Sequence, residues 1–242
     1  MLGMFKDRMS KHLSDGNPRH IALTTRGKHA YAKKNNLSIE EAYSLSYLAI
    51  MSTIASTIKL KIPMLTFHLL STKVKELDSF PVVIDSLTNF FNNLSEKDII
   101  SNNRIRISIL GKWYDMPGRL VEAIKKIIEQ TEDYASYFVN FCINYNGQEE
   151  IVDAFRLIAR QVVAKKIDPE SIDIKTIKEN TYSSYFPPPD LIVVNYYRKT
   201  SDILLWDSPN ASFYFTDRLW PDFSKDDLLA AIKFFRESLN QK

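Results

Sequence analysis

Short apolar runs separated by longer stretches of helical periodicity constrain this chain more than any other feature of its sequence. Parallel strands cannot be joined by a tight turn, so each needs a long crossover, usually a helix. The rhythm runs the length of the chain. Residues 20–25, 64–70, 105–110, 137–145, 191–195 and 212–215 read as strands. Helical patterns over residues 38–60, 82–94, 119–131, 149–165 and 172–179 fill the gaps, and a last amphipathic helix follows Ser224. Ser38 and Glu41 have the spacing of a capping box. Gly111 closes the third strand, and the stiff run Phe186-Pro187-Pro188-Pro189 delivers the fifth. The fold class expected is α/β: a single domain with a central, mostly parallel sheet flanked by helices.

At 242 residues no second domain is required. With no internal repeat, low-complexity tract or linker in view, residues 1–17 are taken as an N-terminal segment and residues 18–242 as the domain. The net charge of +3, with Lys and Arg scattered, excludes an evident nucleic-acid binder. The single cysteine, Cys142, rules out an internal disulfide and fits a reducing, cytoplasmic setting. Its apolar run marks it as a small buried strand residue rather than a nucleophile. Lys6, Asp7, Arg8, Lys11 and His12 interrupt the first residues, so no secretory signal is visible. Residues 47–62, the most membrane-like stretch, are threaded with Ser, Thr and Lys and fall short of the roughly 18 apolar residues of a span. Peripheral contact with a membrane surface stays open.

Open parallel sheets bind ligands beyond the C-terminal ends of their strands. The candidate site is therefore built from the loops after Thr25, Leu70, Gly111, Tyr145 and Asn195. In the first of these, Arg26-Gly27-Lys28-His29, glycine admits close backbone approach while Arg26 and Lys28 favour an anion such as a diphosphate. On composition alone a solvated basic turn is the simpler reading. His12, His20, His29 and His68 show no metal-ligand spacing and are expected in satisfied strand or surface roles. Asp217 and Asp222 read as structural, and the aromatic group Trp206, Phe213, Tyr214, Phe215 and Trp220 as core and dimer interface.

Three segments carry a family resemblance. Asn144-Tyr145-Asn146-Gly147-Gln148-Glu149-Glu150-Ile151-Val152-Asp153-Ala154 looks like N-Y-G-G-R-x-E-I-x-D-A. Pro189-Asp190-Leu191-Ile192 looks like the start of P-D-L-x-I-R, and Phe215-Thr216-Asp217-Arg218-Leu219-Trp220-Pro221-Asp222-Phe223 like F-T-D-x-L-W-P-D-F. Over about residues 18–238 the chain resembles the cis-prenyltransferases, the undecaprenyl or dehydrodolichyl diphosphate synthases. The resemblance implies an apolar tunnel between sheet and helices, a dimer, and addition of isopentenyl diphosphate to an allylic diphosphate with Mg²⁺.

The same resemblance implies that the chemistry is altered. Residues 15–20 hold an apparent D-G-N-x-R, but nothing apolar precedes Asp15, whereas Pro18 to Leu23 and Ala32-Lys33-Lys34 fit the family's first motif without a gap. In that register the catalytic Asp is Arg26, Gly27 is kept, the Asn is Lys28, the phosphate-binding Arg is Ala30 and the Trp is Tyr31. The family His near Ala42-Tyr43-Ser44 is absent. Downstream, Ser71 survives while the Asn of its motif is Val74. One isopentenyl-binding Arg is Val193, the other is Lys199, Ser201 is kept, and the second metal carboxylate lands on Ser212. Arg26, Gly27, Lys28, Ser71, Lys199 and Ser201 are thus the implied diphosphate contacts. No metal ligand and no cofactor are expected. The expected function is a non-catalytic or impaired partner subunit of an active prenyltransferase, as homodimer or heterodimer. Alternatives are an atypical transferase with an allylic diphosphate donor, or a prenyl diphosphate binder. An accessory subunit's C-terminal R-x-G is missing from the last residues, 234–242.

Overall fold

Six strands pair in parallel in the order β3-β4-β2-β1-β5-β6. They are β1 (His20–Thr24), β2 (Met64–His68), β3 (Ile105–Leu110), β4 (Tyr137–Cys142), β5 (Leu191–Asn195) and β6 (Ser212–Thr216). The computed structural model describes residues 16–196, 199 and 202–240. Its helices are α1 (Lys28–Asn35), α2 (Ile39–Lys59), α3 (Phe80–Leu94), α4 (Asp98–Asn102), α5 (Gly118–Thr131), α6 (Gly147–Val163), α7 (Ile174–Asn180) and α8 (Lys225–Leu239). Every residue of β1, β2 and β5 is buried, as happens when helices cover both faces of a parallel sheet.

Alternate residues divide between two cores. Ile21, Leu23, Leu191 and Val193 face the larger one, with Ile50, Ile54, Phe67, Phe91, Phe141 and Trp220. Ala22, Ile192 and Val194 face a smaller one with Cys142 and Tyr145. Within the larger core Tyr47 stacks on Phe90 at 4.4 Å between centroids, and Tyr43 meets Tyr47 edge-on at 6.3 Å. These rings pack between α2 and α3. On the far side of Tyr43, Tyr47 and Phe90 line a smaller cavity of about 210 Å³.

The expected segments reappear with adjusted ends. Ser38 caps α2 with the reciprocal Glu41 bond, and Ser224 opens α8 in the same way with Asp227. β2 and β4 stop earlier than their apolar runs do. The amides of Leu69 and Leu70 both turn to the Cys142 carbonyl, and Asn144 takes a left-handed φ of 50°, so neither strand continues. Two helices were not anticipated. α1 begins where a turn was expected, because its N-cap is Gly27 with no side-chain bond to announce it, and the single-turn α4 precedes β3. Among the described residues no helix is long and apolar enough to cross a membrane.

Candidate functional site

Strand order fixes where a site can be. From β1 the chain builds one side of the sheet with β2, β3 and β4, β4 inserting between β2 and the edge strand β3, then returns to build the other with β5 and β6. The crevice beyond the C-terminal ends of β1 and β5 is this reversal point, the usual ligand position in an open α/β sheet. A cleft of about 880 Å³ lies there. Its walls are residues 25–30, residues 68–74, Asn146 and Gln148 at the start of α6, and Tyr196, Asp202 and Leu205.

The loop after β1 is held by its neighbours' backbone and by one amide side chain. Asn195, buried at the end of β5, accepts from the Thr24 hydroxyl at 2.8 Å and the Arg26 N–H at 3.0 Å. Its Nδ2 donates to the carbonyls of Arg26 at 2.9 Å and Arg218 at 3.1 Å. The Trp220 N–H also donates to the Arg26 carbonyl, at 2.9 Å. Gly27 sits at φ 92°, and a Cβ there would stand 2.6 Å from Leu219 Cδ2, so the close approach needs glycine.

Lys28 is the first residue of α1 and is only 6% exposed. Its Nζ donates to Thr25 Oγ1 at 2.8 Å and to the Thr25 carbonyl, and lies 5.3 Å over the Tyr43 ring. Burial draws the ammonium down to about 7. His68, at the end of β2, has Nδ1 4.0 Å from Asp202 Oδ1, while Nε2 is buried without a hydrogen-bond partner among the described residues. Burial lowers its pKa to about 4, with Arg26 and Lys28 pushing the same way and Asp202 opposing. The ring is therefore neutral at pH 7, and its approach to Asp202 is not an ion pair.

The structure gathers Arg26, Gly27, Lys28 and Ser71 around one cleft. Lys199 is exposed, and Ser201 lies outside the described residues. Ser212 is at the N-terminal end of β6, with its Oγ 3.1 Å from that of Ser238, while the cleft opens beyond the opposite end of the sheet. Sequence reading missed three contributors. His68 was expected in a satisfied role, which His20 and His29 do fill: the His20 ring meets the Pro187 carbonyl at 2.9 Å and Thr66 Oγ1 at 2.8 Å, and the His29 ring meets Ser79 Oγ at 2.9 Å, while His12 lies outside the described residues. Asn195 and Asp202 were not singled out. Their signal is positional: Asn195 ends a strand at the reversal point, and Asp202 follows in the same crossover.

A magnesium ion needs several hard oxygen donors. Among the described residues the cleft walls supply one carboxylate, Asp202, together with Arg26, Lys28 and Lys73. Among the described residues no cluster of acids, histidines or cysteines could hold a metal ion. The described donors alone do not make a Mg²⁺ site.

Residues 25–241 match the model of the undecaprenyl diphosphate synthase prenyltransferase family. The chain belongs to that family of cis-prenyltransferases. It is 32% identical over 220 residues to a tritrans,polycis-undecaprenyl-diphosphate synthase (geranylgeranyl-diphosphate specific) of Thermoplasma volcanium, covering 89% of this chain and 84% of that protein. An isoprenyl transferase of Streptococcus thermophilus is 29% identical, with 97% of each chain covered. The crystal structure of lavandulyl diphosphate synthase from Lavandula x intermedia, in complex with dimethylallyl diphosphate, superposes with a TM-score of 0.87. It shares 25% identity and covers 92% of this chain and 97% of that one.

In this member of the family the best-kept motifs serve architecture. Asn146 caps α6 by accepting from the N–H groups of Gln148 and Glu149 at 3.0 and 3.1 Å. A Cβ on Gly147 would lie 2.1 Å from the Asp202 carbonyl, so glycine lets residues 202–205 pack on the helix start. The buried Glu150 accepts from the Tyr145 hydroxyl at 2.5 Å and from the Ser183 N–H at 3.3 Å. Asp190 clips the start of β1, accepting from the N–H groups of Arg19 at 2.7 Å and His20 at 3.1 Å. Cys142 is buried, and burial raises its thiol well above the ordinary range, which makes it inert.

Proposed function

We propose that this cis-prenyltransferase-family protein of polyprenyl diphosphate synthesis binds a prenyl diphosphate through direct cation contacts and acts as a non-catalytic partner of an active family member. One observation carries the reading. Arg26 and Lys28 flank the tip of β1 in a cleft whose described walls contain a single carboxylate. Fixed cations that already neutralise a bound diphosphate hold the ground state and the departing pyrophosphate alike. Acceleration requires interactions that strengthen in the transition state, and a metal recruited as charge develops is the usual source. Such a cleft retains its ligand rather than ionising it.

The partner role is supported by the edge of the sheet. Among the described residues β6 has only β5 beside it, and Phe213 and Phe215 stack on it with centroids 6.2 Å apart. Phe215 is 38% exposed, which favours a second chain against that edge. Two copies of this chain, or this chain and an active homologue, would fit.

A second reading, a transferase that uses an allylic diphosphate donor, is favoured by the lavandulyl diphosphate synthase, whose structure holds dimethylallyl diphosphate. One experiment separates the two. The isolated chain is incubated with labelled isopentenyl diphosphate and dimethylallyl, farnesyl or geranylgeranyl diphosphate, with Mg²⁺ or EDTA. The expected outcome is binding without product, and product only after addition of an active homologue. Product from the isolated chain would overturn the partner role.

A further inference from the structure

The cleft contains a cation whose charge is adjustable. Lys28 sits in its wall with the ammonium drawn out of water, and no carboxylate answers it among the described residues. A protonated amine has three N–H donors. Two of the Lys28 donors reach Thr25, one to its hydroxyl and one to its carbonyl, and the Tyr43 ring covers the nitrogen at 5.3 Å. The third is left for an oxygen that enters the cleft. Next to Lys28, α1 starts on a residue that gives no side-chain cap, with no acid in its first turn. Across the cleft, the buried His68 Nε2 lacks a hydrogen-bond partner among the described residues.

We infer that a diphosphate enters as the metal-free anion and takes up a proton on Lys28 as it binds, which makes Lys28 the residue that sets the pH at which this cleft is occupied. The inference rests on the reading of the cleft as a diphosphate site. The empty cleft favours the neutral amine, since burial holds Lys28 near 7. An anion a few ångströms away favours the ammonium and raises that value. Linkage then requires net proton uptake on binding, and affinity falls about tenfold per pH unit once the pH exceeds the free value.

The other groups facing Lys28 do not reproduce this behaviour. Arg26, on the same loop, supplies a guanidinium rather than an amine. His29 on α1 and His68 on β2 are both lowered by burial, so any proton they accept is accepted in acid. Tyr43 on α2 is raised by burial and stays neutral. Asp202 faces His68 at 4.0 Å, and Asp222, on the turn that packs against α1 and α2, is exposed.

The test is calorimetry of inorganic pyrophosphate binding to the full chain at pH 8 in EDTA, in two buffers of different ionisation heat. Pyrophosphate itself titrates, so the measure is the difference from Lys28→Arg, which keeps a permanent charge; Lys28→Met supplies a neutral variant, and melting curves show that each is folded. Wild type should take up roughly half to one proton more than either variant. Excess Mg²⁺, which masks the anion's charge, should weaken binding. Equal uptake in wild type and Lys28→Arg, with both binding, would overturn this proposal and leave the diphosphate site standing. Stronger binding with Mg²⁺ would overturn the metal-free anion. Absence of pyrophosphate binding to any form would overturn the site reading and the proposal together.

Discussion

Two polar regions of the molecule treat charge in opposite ways. Behind β4 and β5 every buried acid has its partner. The Lys178 ammonium and the Ser183 hydroxyl donate to Asp207 at 2.5 and 2.7 Å, while Tyr145 and Ser183 satisfy Glu150. At the tip of β1 the buried Lys28 has no acid, and His68 leaves a nitrogen without a partner among the described residues. The first region is complete without help; the second leaves donors that the proposed diphosphate would satisfy. An unpaired buried cation is costly, and proteins keep such costs where function needs them.

The comparison can be broken from either side. The largest effect belongs to the paired region. Asp207→Ala leaves the Lys178 ammonium without its buried partner and should lower unfolding stability by about 3 kcal/mol in urea denaturation. A loss below about 1 kcal/mol, the scale of a surface pair, would erase the contrast.

Removing the lone cation should have the opposite sign. Lys28→Met is expected to stabilise the protein by roughly 2–3 kcal/mol at pH 6. The folded-state value of Lys28, about 7, lies below its ordinary 10.5, so between them the unfolded chain holds more protons and wild-type stability climbs with pH. The advantage of the variant is therefore full below pH 7 and shrinks as the pH rises toward 10.5. Thermal melts at pH 6 and 9.5 check both the sign and its decline.

Asn195→Ala sharpens the link between the two regions. It removes four hydrogen bonds at the reversal point, and should destabilise by about 2 kcal/mol and weaken pyrophosphate binding. Intact affinity at reduced stability would mean that the loop needs no such support. Smallest is Ser38→Ala, remote from both regions, which removes the α2 cap for about 1 kcal/mol and sets the scale for a purely local loss.

The fold was legible where local signals and burial agreed. The apolar runs at residues 105–110 and 191–195 coincide with β3 and β5, and the Ser38 and Ser224 caps open the helices expected of them. It was illegible where one residue overrides a pattern. α1 starts on a left-handed glycine, a device more usual at helix ends, so the Arg26-Gly27-Lys28-His29 run read as a turn. The site divided in the same way. Arg26 and Lys28 stood out because they interrupt a motif. His68 and Asp202 meet only through the sheet order, which local spacing does not encode. That Lys28 is buried could not be read at all, since the burial comes from Tyr43 on the next helix and the end of β2.

The Arg26 carbonyl is gripped twice, by Asn195 and by the amide of Trp220. The Trp220 indole is sealed from solvent, and its Nε1 holds the Ser46 carbonyl of α2 at 3.0 Å. Any displacement at the mouth of the cleft is thus handed to a shielded chromophore. Trp113 and Trp206, the other two, are partly open to water and can be silenced by iodide. What remains is one buried emitter bonded to the loop at the cleft mouth, through which the arrival of the proposed diphosphate can be watched without a label.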